Sequence, residues 1–149
     1  PSVFATALVA RVEPDDAGRP GSDWRVTWSS AGHLPPLLVT ADGSARLLDG
    51  APDRVLGLDV PESTPRRDHL GTLSTGETLL LYTDGLVERR GEDLDVGLQR
   101  LVDTVAELGG MPLDELCDQV LRRMPTDGDD DVAVIAVRVC PRGTPPPRR

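Results

Sequence analysis

Residues 77–83, ETLLLYT, put three consecutive leucines and a tyrosine into one unbroken apolar run. A strand with one wet face alternates apolar and polar residues, so a run without alternation suits a strand covered on both faces. Such a strand needs one layer of structure above it and another below. A second run, DVAVIAVRV at 131–139, is strongly β-branched and reads as the last strand of the chain. Both runs touch aspartates: the first leads into Asp84-Gly85, and the second is preceded by Asp129 and Asp130 and begins at Asp131.

The rest of the chain supplies the layers. VFATALVARV (3–12) and WRVTWSSAG (24–32) flank a turn-rich stretch and read as a hairpin. Asp42-Gly43 lies between the short apolar runs of PLLVTADGSARLLDG, the strongest short-range hairpin signal. HLGTL (69–73) reads as another strand, in a segment, 51–76, that is otherwise rich in loop residues. Apolar residues then recur at 94, 98, 101, 102, 105 and 108, a helical stripe that stops at Gly109-Gly110. Pro112 in a first turn opens a second helix, with Leu113, Leu116, Cys117, Val120 and Leu121 on one face and an end near Pro125. Strands, then two helices, then one strand predict an α+β domain with helices packed on a sheet face. The chain divides into a folded portion, 1–139, and a Pro/Arg-rich tail, 140–149, expected to be disordered.

Bulk properties narrow the function. The 149 residues, 38% hydrophobic, suffice for one ordinary core. A formal net charge of -9 repels nucleic acid and anionic membranes, and 3% aromatics leave few platforms for stacking bases. No run has the apolar length of a membrane span and the N-terminal residues lack the basic region of a signal peptide, so the expected location is the cytoplasm. Cys117 and Cys140 stand at unrelated spacing, without a CxxC pair for zinc or redox chemistry.

If the two apolar strands are neighbours, the carboxylates at their ends converge on one rim of a sheet. Clustered carboxylates repel one another, and a hard divalent cation bound through oxygen relieves the repulsion. Mg²⁺ or Mn²⁺ fits better than zinc, because no histidine or cysteine cluster accompanies the aspartates. An Asp-Gly after a strand is also an ordinary turn, and an aspartate run before one an ordinary solvated loop. Each motif alone is therefore weak, and their combination is stronger.

In order along the chain, FATALVARVEP, VTWSSAGHLPPLLV, VLGL, LSTGETLLLYTDGLVERR and DDDVAVIAVRV resemble the C-terminal part of the metal-dependent Ser/Thr protein phosphatases of the protein phosphatase 2C type. The nearer likeness is to their bacterial stage II sporulation protein E-like, sigma-factor-regulating branch, and it extends from Val3 to Val139. The resemblance implies an α-β-β-α architecture, an antiparallel β-sandwich flanked by helices, with a binuclear Mn²⁺ or Mg²⁺ site at one end. It implies that Asp84, in the family's TDG motif, is a metal ligand and that Asp130 is the last ligand. Asp129 and Asp131 remain open as neighbouring alternatives to Asp130.

The same resemblance implies hydrolysis of phosphoserine or phosphothreonine by attack of a metal-bound water, on a regulatory phosphoprotein of the anti-sigma-factor-antagonist type. The family's upstream Asp-x-x-Gly-His-Gly motif is not present among these residues. The chain therefore reads as a domain lacking its N-terminal part, expected to be inactive by itself and prone to self-association through uncovered edges. The reading from a different class is a non-catalytic pseudophosphatase or partner-binding regulatory module.

A haloacid-dehalogenase-type phosphatase would need a nucleophilic aspartate two positions before Asp84, where this chain has Tyr82. An EF-hand reading of TDGDDDVAV fails because its glycine comes second and no glutamate follows at the required position. His33 reads as a structural hydrogen-bonding residue, since no serine or cysteine nucleophile accompanies it in a motif. His69 has no motif context. Arg66-Arg67 and Arg89-Arg90 carry charge suited to a phosphorylated partner, although exposed arginines are usually just solvated.

Overall fold

The computed structural model describes residues 3–15, 23–58, 65–125 and 130–141. Seven strands form two antiparallel sheets. One contains β1 (Ala7–Pro14), β2 (Trp24–Ala31) and β5 (His69–Leu73), in the order β1-β2-β5. The other contains β3 (Leu37–Val39), β4 (Ala45–Leu47), β6 (Thr78–Tyr82) and β7 (Val134–Arg138), in the order β4-β3-β6-β7. Helices α1 (Leu94–Glu107) and α2 (Leu113–Arg123) follow a single 3-10 turn at Asp84–Leu86.

The expected hairpins form, β1 on β2 and β3 on β4. In the second, Gly43 takes φ +90°, a region open to glycine and strained for other residues. Asp42 Oδ1 accepts hydrogen bonds from the backbone N–H of Ser44 at 3.0 Å and from the Thr40 hydroxyl at 2.5 Å, closing the turn locally.

Strand β6 is central, between β3 and β7, and its alternate residues serve two different cores. Leu80 and Tyr82 join Leu37, Val39 and the helical residues Leu98, Leu101, Val105, Leu116 and Val120. Leu79 and Leu81 face the other sheet, with Val26, Trp28, Leu38 and Leu73. The unbroken apolar run is explained by this two-sided burial, each fully buried leucine contributing about 1.5–3 kcal/mol.

Three features differ from expectation. Strand β7 lies at the sheet edge and is buried on one face only: Val134 and Ala136 pack toward the helices, while Ile135 remains 60% exposed. The opposite sheet has three strands and does not reach across it. Leu121 is also exposed, because α2 rests on β7 through Leu116 and Val120, near the centre of its apolar stripe. Pro112 is the N-cap of α2 rather than part of its first turn.

Among the described residues, helices cover one outer face of the sandwich. On the other outer face Val9 and Leu70 are exposed. The fold is therefore α+β, with the layers helix, sheet, sheet in this stretch of chain. Of the tail, residues 142–149 lie outside the described residues. No described helix is long and apolar enough to cross a membrane.

Candidate metal-binding rim

Strand β6 pairs antiparallel with β7, Tyr82 opposite Val134, so the exit of one and the entrance of the other meet. Thr83 joins them. Its N–H donates to the carbonyl of Ala133 at 3.1 Å, and its hydroxyl accepts from the N–H of Ala133 at 2.8 Å. The same hydroxyl donates to the carbonyl of Asp131 at 2.9 Å. Asp84, next in the chain and half-buried, therefore stands beside the segment that carries the exposed Asp130 and Asp131.

Gly85 makes this approach possible. A Cβ at this position would lie 2.8 Å from the carbonyl oxygen of Asp131 and 3.3 Å from the carbonyl carbon of Asp130. Gly85 has no positive φ, so its value lies in the space it leaves rather than in a sharp turn. The backbone of one aspartate motif thus rests directly on that of the other.

Each carboxylate is oriented by its own backbone: Asp84 Oδ1 accepts from Gly85 N–H at 3.0 Å, and Asp130 Oδ1 from Asp131 N–H at 2.8 Å. Among the described residues no further hydrogen bond engages either side chain, which leaves oxygen lone pairs for a cation. The donor chemistry fits Mg²⁺ or Mn²⁺, all oxygen and negatively charged. The number of donors is small, since no group of three or more His, Cys, Asp or Glu side chains converges among the described residues. Asp129 lies outside the described residues.

His33 supports this rim from behind. Its Nε2 lies 3.0 Å from the carbonyl of Tyr82, which can only accept, so that nitrogen carries the proton. Its Nδ1 then accepts from the Thr6 hydroxyl at 3.1 Å, and its backbone is tied to the Ser30 hydroxyl. With both ring nitrogens engaged, His33 fastens the ends of β1, β2 and β6 together, a structural role. His69 stacks on Trp28 with ring centroids 5.4 Å apart and is likewise structural.

Tyr82 is buried against the helical core, and burial pushes its hydroxyl above the ordinary phenol range. It offers no nucleophile at the position where a haloacid-dehalogenase-type enzyme would need one. Cys117 and Cys140 are both free, and burial, with help from Asp118 and Asp114, raises the Cys117 thiol.

Thr83 and Thr6 were not singled out from sequence. Thr83 could have been, as the one polar residue between an apolar strand and Asp84, whereas Thr6 carried no signal because its partner lies 27 positions away.

The sequence model of stage II sporulation protein E (SpoIIE) matches residues 1–140. The chain belongs to the SpoIIE family. The structure of the RsbU and RsbW domains of a Mycobacterium tuberculosis protein is similar at TM-score 0.69 and 35% identity, across 85% of this chain and 35% of that one. The PP2C domain of SiaA from Pseudomonas aeruginosa matches at TM-score 0.58 and 20% identity, across 78% of this chain and 49% of that one. The phosphatase domain of the cell fate determinant SpoIIE from Bacillus subtilis, presoaked in Mn, matches at 0.56 and 18% identity, across 95% and 58%. The last two identities are low and show the fold alone, which is that of PP2C-type phosphatase domains. This SpoIIE-family chain spans between about a third and three-fifths of the length of these structures.

Proposed function

We propose that the polypeptide containing this chain is a metal-dependent protein phosphatase acting on phosphoserine or phosphothreonine, and that Asp84 and Asp130 hold a Mg²⁺ or Mn²⁺ ion. The observation that carries this reading is the Thr83 junction with Gly85 beside it, which brings the two aspartate motifs together at one rim. Membership of the SpoIIE family supports the reaction class. A divalent cation in such a site offsets negative charge on phosphoryl oxygens and acidifies water. This chain's own residues supply two hard, oriented carboxylates and, through Thr83 and His33, the rigidity that keeps their backbones in register.

The substrate is proposed to be a phosphorylated regulatory protein of the anti-sigma-factor-antagonist type, a reading supported by the likeness to the sigma-factor-regulating branch. A cytoplasmic location, and control of a sigma factor through that substrate, belong to the same proposal. The chain is further proposed to end its folded portion at Val139, with the tail outside it.

The shortage of converging donors favours a second statement about this chain taken alone. It binds one cation weakly, does not turn over phosphoesters, and by itself is a partner-binding module.

Calorimetric titration of the chain with Mn²⁺ tests the site. Asp84→Asn and Asp130→Asn should each weaken binding at least about 10-fold, and Asp131→Asn should leave it nearly unchanged. Undiminished binding by Asp84→Asn would overturn the assignment. With p-nitrophenyl phosphate and saturating Mn²⁺ the chain alone should show no turnover; robust turnover abolished by Asp84→Ala would show that the site is complete after all.

A further inference from the structure

One surface of this acidic chain has the opposite charge. Arg54, Arg66 and Arg67, all exposed, border a concavity of about 600 Å³. The two stretches that form it hold each other in place: Arg67 donates from its backbone N–H and its Nε to the Asp53 carboxylate at 2.6 and 3.1 Å. Arg66 donates from Nη1 to the carbonyl of Arg54 at 3.0 Å. Asp53 is thereby occupied by Arg67, and no carboxylate among the described residues pairs with Arg54 or Arg66. The guanidinium edges of Arg54 and Arg66 are available on a chain whose formal net charge is -9.

This concavity is continuous with the aspartate rim. Asp53 N–H donates to the carbonyl of Ser30 at 2.9 Å, and Leu56 and Ala5 exchange backbone hydrogen bonds at 2.8 and 3.2 Å. Thr6, next to Ala5, meets His33, and His33 holds the carbonyl of Tyr82, two residues before Asp84. The arginines are thus several linked contacts from Asp84. That places them beside the reacting phosphate rather than on it.

We propose that this arginine-bordered concavity docks an acidic segment of the protein substrate, the Asp/Glu-bearing flank of its phosphorylated residue. The inference rests on the phosphatase reading and adds how the substrate is selected. Exposed arginines contribute modestly one by one, but complementary charge raises encounter rates and makes association salt-dependent. Carboxylate is the favoured ligand because guanidinium edges pair with it in a bidentate manner. Nucleic acid and anionic membrane are disfavoured by the negative field of the rest of the molecule.

The test uses two phosphoserine peptides of equal length, one with four flanking glutamates and one with four glutamines. The Mn²⁺-loaded full-length polypeptide should prefer the acidic peptide at least about 5-fold in kcat/KM at low salt, and lose most of that preference in 0.5 M NaCl. The Arg54→Glu/Arg66→Glu variant should abolish the preference while leaving p-nitrophenyl phosphate turnover within about 2-fold of the parent. Both arginines are exposed and neither is in the aspartate rim, so folding should be intact, as checked by circular dichroism. Fluorescence anisotropy of the unphosphorylated acidic peptide on the chain gives a reading that needs no catalysis. Binding lost in the variant, without any turnover, supports docking while the phosphatase reading fails. Turnover with no peptide preference overturns docking and leaves that reading standing. Tighter, arginine-dependent binding to phosphatidylserine vesicles than to the acidic peptide would also overturn it.

Discussion

The hydroxyl of Thr83 is shared between Asp131, to whose carbonyl it donates at 2.9 Å, and Ala133, whose N–H it accepts at 2.8 Å. One side chain thus seals the junction where the central strand leaves its sheet and the last strand enters. Replacing it with valine keeps the shape but leaves two backbone groups without their partner, at about 1–3 kcal/mol. Thr83→Val should lower the midpoint of chemical denaturation accordingly and weaken Mn²⁺ binding, whereas Thr83→Ser should restore both. A valine variant as stable as the parent would mean that water replaces the hydroxyl without loss.

Gly85 should tolerate no side chain. A methyl group would meet the Asp131 carbonyl at 2.8 Å, and because that atom belongs to backbone rather than to a flexible side chain, the two motifs must separate. Gly85→Ala is expected to destabilise by about 1–3 kcal/mol, the range for overpacking. Mn²⁺ affinity should fall even though no ligand is altered. Gly91, beside which an added Cβ meets nothing within 4 Å but whose φ is +77°, provides a contrast. Its alanine variant should lose stability without losing metal affinity.

The β3–β4 turn should carry a recognisable acid dependence. Hydrogen bonds from Thr40, then from the backbone and side chain of Ser44, lower the Asp42 carboxyl from 3.8 to about 2. A carboxyl depressed in the folded state stabilises fully above its unfolded value and loses that contribution as pH falls through its folded value. The stability difference between the parent and Asp42→Asn should therefore be constant above pH 5 and change between pH about 4 and 2. Thermal melts across that range measure it; a difference flat down to pH 2 would show that the turn does not stabilise the ionised form.

Ile135 on the edge strand β7 presents a large apolar side chain next to unpaired strand backbone. It also lines a hollow of about 180 Å³ between the sheets with Leu8, Leu34 and Leu81. Open edges with apolar faces pair with other chains, and a lysine there discourages pairing. Light scattering at increasing concentration should show self-association of the chain that Ile135→Lys reduces. A strictly monomeric parent chain would remove the basis for this expectation.

Much of this architecture can be read from local chemistry. The unbroken LLLY run demands cover on two faces and receives it from two different cores, because side chains alternate along a strand. Asp42-Gly43 specifies its hairpin through a positive φ that glycine accepts, and the stripe from Leu94 to Leu108 defines α1 by its period. The two aspartate motifs could be recognised, and their meeting anticipated, since each borders a strand.

What only the tertiary structure decided depends on residues distant in sequence. That β7 is an edge strand with Ile135 uncovered follows from the other sheet having three strands, and no pattern within DVAVIAVRV reports a neighbour's width. That Gly85 provides clearance rather than a turn follows from the Asp131 carbonyl 46 positions away. The Thr6–His33–Tyr82 linkage and the Thr83 junction span 27 to 50 residues, and hydrogen bonds of that separation have no periodicity to announce them. Short-range propensity and pattern are written in neighbouring residues, whereas close approach between two backbones exists only once the sheet has formed.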